Sequence, residues 1–159
     1  MSEANQADAR HAARLGAVQA LYQMEMVGSG AEEVAQEFAD YRFGDLPAPP
    51  DADFFAAIVN GVPQHQVAID RAIAATLSQN WKLERVDSIL RAILRCGVYE
   101  LAARRDVPAR VVIDEYVAVA SAFFGGDEPG FINGALDTIA RRKRASEFGL
   151  PTPDDELDF

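Results

Sequence analysis

A single cysteine, Cys96, and two histidines, His11 and His65, are the only thiol and imidazole groups in the 159 residues. One thiol excludes an intramolecular disulfide and any cysteine-built zinc site. No apolar run reaches the ~18 residues a membrane span needs, and the start MSEANQADAR lacks the apolar core of a signal peptide. The chain is therefore expected to be cytoplasmic, with no membrane partner. There is no glycine-rich phosphate loop and no G-x-S-x-G turn. Cys96 falls within an apolar helix face, where a thiol is inert. No nucleophile is announced, so no enzyme, no cofactor and no small-molecule substrate are expected.

Bases are also scarce. Fifteen Lys and Arg face twenty-five Asp and Glu, a net charge of −10, which by itself argues against a nucleic-acid partner. The distribution of charge along the chain makes such a partner possible again. Residues 27–60 hold seven acids and only Arg42, and residues 147–159 hold five acids and no base. The remainder is close to neutral, with basic clusters at Arg10/Arg14, Arg104-Arg105 and RRKR (141–144). An acidic protein can still carry a basic face.

Hydrophobic residues make up 49% of the chain, enough for one well-filled core. Nothing alternates at period two for long, whereas 3.6-residue patterns run almost throughout, so the fold class is all-α. A first helix is expected from an Asp8 cap to the GSG at 28–30, and a second over about 31–42. Asp51 should cap a long helix to about Ser78, kinked at Pro63, where a hydrogen bond is lost. NWKLERVD is a connection or short helix. Asp87 should cap a helix over about 88–105, and another follows over about 109–124. Asp127 should cap the last helix, with Pro129 tolerated in its first turn. In the first helix Leu15, Val18, Tyr22 and Met26 form one stripe, and Ala13, Ala17, Ala20 and Met24 another. These boundaries give a flexible start over 1–7, one helical domain over 8–146, and an acidic tail over 147–159 expected to be disordered.

Glu100 and Glu115 fall on apolar faces of their helices. Two such acids suggest a di-iron bundle, but that design also needs Glu-x-x-His pairs. Neither histidine has a Glu three residues earlier, and Asp8-x-x-His11 is a single imitation. No metal is expected; the two acids should instead be satisfied by an arginine or by backbone donors.

The last helix poses a sharper question. Ile132, Ala135, Leu136, Ile139 and Ala140 recur at helical spacing, yet Gly134 interrupts the pattern at a cost of roughly 1 kcal/mol relative to Ala. Phe131 lies at the edge of the apolar stripe, with Gly134, Thr138 and Arg142 beside it. An aromatic ring, a bare backbone, a hydroxyl and a guanidinium on one strip suit single-stranded nucleic acid. The competing reading is that Phe131 folds inward and Gly134 admits a neighbouring helix. Both stand on spacing alone.

Three stretches together carry a resemblance: ARLGAVQALYQMEM (13–26), AILRCGVYELAARRDVPARVVIDEYVAVASAF (92–123) and FINGALDTIARR (131–142). In order and spacing they resemble the NusB family of bacterial transcription antitermination factors, over about residues 9–144. The resemblance implies a compact bundle of about seven helices in two sub-bundles. It implies binding of boxA RNA in nascent transcripts, notably of ribosomal RNA operons, together with the small-subunit ribosomal protein NusE. The partners would act with other Nus factors in an antitermination complex on RNA polymerase. Carried over by position, the RNA-binding residues are Arg10, His11 and Arg14 at the amino end, and Phe131, Asn133 and Gly134 in the last helix. Thr138 and Arg142 join them from the strip described above. Where family members often have a denser arginine cluster, this chain has His11 and Ala12, which implies weaker RNA binding alone. A NusE surface is expected along about 81–105. The same fold occurs in ribosomal RNA cytosine methyltransferases, which need a further catalytic domain for which 159 residues leave no room. The alternative is a helical protein-interaction module with little RNA binding of its own.

Overall fold

Two of the expected caps hold helices in place. Asp51 accepts from the Phe54 N–H at 3.0 Å, and Asp87 from the N–H groups of Ile89 and Leu90 at 2.8 and 3.4 Å. The computed structural model describes residues 3–77 and 82–151, and among these it contains seven α-helices and no strand. They are α1 (Glu3–Val27), α2 (Ala31–Glu37), α3 (Ala52–Gln64), α4 (Gln66–Ala74), α5 (Ser88–Ala103), α6 (Ala109–Phe123) and α7 (Glu128–Lys143). The chain divides between Gln64 and His65 into two compact units.

Four expectations need correction. Asp8 caps nothing: α1 already runs from Glu3, because Glu-Ala-Asn-Gln-Ala contains no helix breaker. The second helix ends at Glu37 and passes into a π-helical turn over Phe38–Arg42. Pro63 does more than kink its helix. It stands in the last turn of α3, and the chain breaks at His65 before α4 begins. Asp127 precedes α7 without a side-chain cap bond; instead the Gly126 N–H donates to Glu128 Oε1 at 3.2 Å. Residues 78–81, including the expected end at Ser78, and 152–159 of the tail lie outside the described residues.

In the first unit α1 packs on α3. Ala13, Ala17 and Ala20 are fully buried, while Leu15 and Tyr22 are half-buried and Met26 is 52% exposed. The alanines of the small stripe thus lie in the core together with Val18 of the other stripe, while Met24 is half-buried. Phe55 anchors the unit, stacked on Phe38 at 5.7 Å and met edge-on by Phe43 at 5.0 Å.

In the second unit α5 is central, packing against α4, α6 and α7, and eleven of its sixteen residues are buried. Gly97 permits the contact with α7, for a Cβ there would stand 2.8 Å from Leu136 Cδ1. Asp70 of α4 holds Arg95 of α5 through two bonds of 2.8 and 3.0 Å.

The RRKR run conceals the unit's main polar junction. Arg144 is 1% exposed and donates to the carbonyls of Leu101 (2.7 Å), Val107 (2.9 Å), Arg104 (3.0 Å) and Glu100 (3.2 Å), and to Glu147 at 2.6 Å. The last carbonyls of a helix have no partner within it; here one guanidinium serves two of those of α5, Glu100 and Leu101, and two of the segment that follows. Glu147 in turn accepts the Ala109 N–H at the start of α6 at 2.9 Å. Glu147 and Phe148 therefore belong to the domain rather than to the tail, in a 3₁₀ turn closed by Gly149 in the left-handed region (φ +67°).

Burial pushes the Glu147 carboxyl up, but the Ala109 N–H and Arg144 outweigh it and hold the group below its ordinary 4.5. Stability from this carboxylate is fully present above 4.5 and is lost as pH falls through the lower folded value. Melts of Glu147→Gln should therefore lie below wild type at neutral pH, and the gap should narrow on acidification. A gap constant with pH would contradict this.

Candidate nucleic-acid interface

The buried stripe of α7 is the expected one: Ile132, Ala135, Leu136, Ile139 and Ala140 all face inward. Phe131 is half-buried, and Asn133, Gly134, Thr138 and Arg142 are exposed. Thr76 and Leu77, just beyond α4, meet Gly130, Phe131, Gly134, Ala135 and Thr138 around an open groove of about 460 Å³. A Cβ on Gly134 would have nothing within 4 Å. Gly134 therefore admits no neighbouring helix among the described residues, and its bare backbone faces the groove. Thr138 donates its hydroxyl to the Gly134 carbonyl at 3.0 Å, which fixes the rotamer on the groove's rim. Sequence reasoning missed Thr76 and Leu77, which no spacing could link to α7.

The amino-terminal residues are placed differently. Arg10 and Arg14 both lay their guanidinium groups over Phe54 of α3, at 4.6 and 4.9 Å from the ring centroid. Arg10 also lies 3.8 Å from Asp51. Arg14 is 2% exposed and His11 half-buried. As placed, Arg14 faces the core of its unit and reaches no solvent phosphate without leaving Phe54. The physical reason is that its helical position adjoins the alanine stripe. Arg14→Ala is expected to lower the melting temperature, whereas Arg10→Ala should act mainly on RNA affinity. Equal affinity losses with no change in melting for either variant would contradict this division.

The two acids also separate. Glu115 is half-buried, while Glu100 is fully buried and accepts a hydrogen bond from the equally buried Tyr116 hydroxyl. Tyr116 is thus one partner that the spacing did not suggest, and Arg144 meets Glu100 at its backbone carbonyl. Glu100→Ala should cost about 3 kcal/mol, combining a cavity with the lost partner. Tyr116→Phe should cost about 1.5 kcal/mol or more, the lower end for a bond to a charged group. Denaturant titrations check both, and near-wild-type midpoints would show the pair to be dispensable. Cys96, fully buried, has its thiol pushed well up by desolvation and then by Glu100, which keeps it protonated and inert. Among the described residues no three His, Cys, Asp or Glu side chains cluster to hold a metal ion. No helix of the described residues is long and apolar enough to cross a membrane.

The stretch expected to meet NusE, about 81–105, offers little surface along α5 itself. Exposure concentrates at its ends, at Glu84 and Asp87 and at Ala103 and Arg105. Arg91 is turned inward as a clamp on the preceding loop, donating to the carbonyls of Val86 at 2.6 Å and Leu83 at 3.2 Å.

Two helical units, the second with a groove beside Phe131 on a helix flank, define an all-α protein. The sequence profile of the NusB family matches residues 11–141. The transcription antitermination protein NusB of Maricaulis maris is 54% identical over 149 residues, covering 91% of this chain and 93% of its own. That of Caulobacter vibrioides is 50% identical over 145 residues, covering 88% and 97%. The chain belongs to the NusB family. Among solved structures, T. maritima NusB superposes with a TM-score of 0.74 at 28% identity, covering 89% of this chain and 97% of that one. A structure of antitermination factors NusB and NusE in complex with dsRNA has a TM-score of 0.71 at 24% identity, covering 82% and 95%, and shares the fold.

Proposed function

We propose that this chain is a non-catalytic, cytoplasmic transcription antitermination factor. It binds boxA RNA of nascent transcripts together with NusE, in a complex with other Nus factors on RNA polymerase. The names of its relatives and its membership of the NusB family support this reading. The observation that carries it is the open strip of α7, where Phe131 borders a groove floored by the bare backbone of Gly134. Thr138 supplies a hydroxyl on its rim and Arg142, one turn further along α7, a guanidinium; Asn133, exposed on another side of α7, and Arg10 and His11 on the first unit offer further RNA contacts. The test is a filter-binding titration of boxA-like RNA against a scrambled sequence, with and without NusE. Preferential binding of boxA, strengthened by NusE, is expected; equal weak binding of both RNAs would overturn it.

One observation favours a second reading, a protein-interaction module with little RNA affinity of its own. Arg10 and Arg14 are engaged by Phe54, and Arg10 by Asp51 as well. In that case NusE binds normally, and the RNA joins only when NusE is present.

A further inference from the structure

The flank of α7 does not end at Arg142. Arg141 follows Gly134 by seven residues, nearly two full turns, so it lies on the same side of the helix about 10 Å further along. Its guanidinium sits 4.8 Å from the centroid of Phe148, and Arg110 of α6 reaches the same ring at 5.4 Å. Two cations thus share one half-buried phenylalanine. Asp137 balances Arg141 through a 2.9 Å ion pair. Arg110 is exposed, and among the described residues no carboxylate pairs with it. It is also the second residue of α6, where the positive end of the helix dipole disfavours a cation. Glu147 accepts the first N–H of α6, but its charge is held by Arg144. The ring itself is well fixed, because the turn beyond it is tied down by the Leu150 N–H donating to the Ala145 carbonyl at 3.0 Å.

The contact of Arg110 within the fold is with the exposed side of the Phe148 turn. We propose that Phe148, Arg110 and Arg141 form a second contact for single-stranded RNA, which continues the Phe131 groove along α7 and takes a phosphate flanking the bound element. This rests on the RNA-binding reading above. Single strands are held by guanidinium groups on phosphates and by bases stacked on aromatic rings or arginine planes. Both kinds of partner are present, and the guanidinium–ring stacks order the cations before RNA arrives.

The test compares a short RNA that spans only the boxA-like element with the same RNA lengthened by several nucleotides at one end, then at the other. One of the lengthened RNAs should bind wild-type protein several-fold more tightly. Its plot of log affinity against log salt should be steeper by about 0.7, one further released counterion on a single strand. Arg110→Ala should abolish both gains while leaving the short RNA and the melting temperature unchanged. Arg110→Lys should keep the steeper slope, because the charge remains. If Arg110→Ala weakens short and long RNA alike, or leaves the gain intact, the second contact does not exist. Should the short RNA bind and neither extension help, this inference fails and the RNA-binding reading stands. Should no RNA bind at all, both fall.

Discussion

Arg144→Met is expected to destabilise the protein by about 3–5 kcal/mol, the cost of breaking a buried charged cluster from one side. The guanidinium donates to four carbonyls and a carboxylate in a site that is 1% exposed. Methionine fills similar space but takes the guanidinium donor from the Leu101 and Val107 carbonyls and leaves Glu147 without its cation. For a domain of this size, such a loss should lower the melting temperature by roughly 10 °C. Arg144→Lys should recover only part, because an ammonium cannot fan out to carbonyls on several sides. Thermal and denaturant melts decide it, and a shift under ~1 kcal/mol would mean that water takes the place of the guanidinium.

The second large effect is on binding. Phe131→Ala should cost RNA affinity about 1–3 kcal/mol, the range for base–aromatic stacking, with the salt slope unchanged because no phosphate contact is lost. Phe131→Leu should rescue little, having no flat face. Gly134→Ala should show the opposite signature. Its methyl group meets nothing within 4 Å, so helix propensity should raise stability by up to about 1 kcal/mol. RNA affinity should fall, because the methyl occupies the floor of the groove. Melts run beside RNA titrations separate this from a packing role. If both variants unfold early yet bind normally while folded, the groove is not the RNA site.

What the sequence made legible was local. Asp51 and Asp87 act within three residues of themselves, and both serve as the caps their positions imply. The apolar stripe of α7 is a property of one helix, and it faces inward as its spacing requires. Pro63 announced a disruption, but whether a helix bends or stops depends on tertiary packing, and here it stops at His65. The long-range partners were not legible. Glu100 was recognisable as a polar residue on an apolar face, yet its partner Tyr116 comes from the next helix. Arg10 and Arg14 read as a basic cluster because Phe54, which they cover, lies on α3. RRKR read as one basic cluster, although Arg141 and Arg142 are exposed while Lys143 and Arg144 are buried. Lys143 continues the buried stripe of α7, four residues after Ile139, whereas Arg144 lies past the helix end, where helical periodicity gives no guidance.

The junction at Arg144 has a consequence for synthesis on the ribosome. Its partner carbonyl on Leu101 lies 43 residues earlier in the chain. At about 5–20 residues per second, that carbonyl waits roughly 2–9 s for its donor. Until then the carboxyl end of α5 has only its local bonds, from the Arg104 N–H to the Glu100 carbonyl and from the Val107 N–H to the Arg104 carbonyl, and the Leu101 carbonyl lacks its guanidinium. The second unit therefore acquires its final polar lock only as the last helix is completed. A nascent chain stalled before residue 144 would expose an unfinished second unit to chaperones and proteases, whereas the first unit, ending at Gln64, would already have its whole sequence.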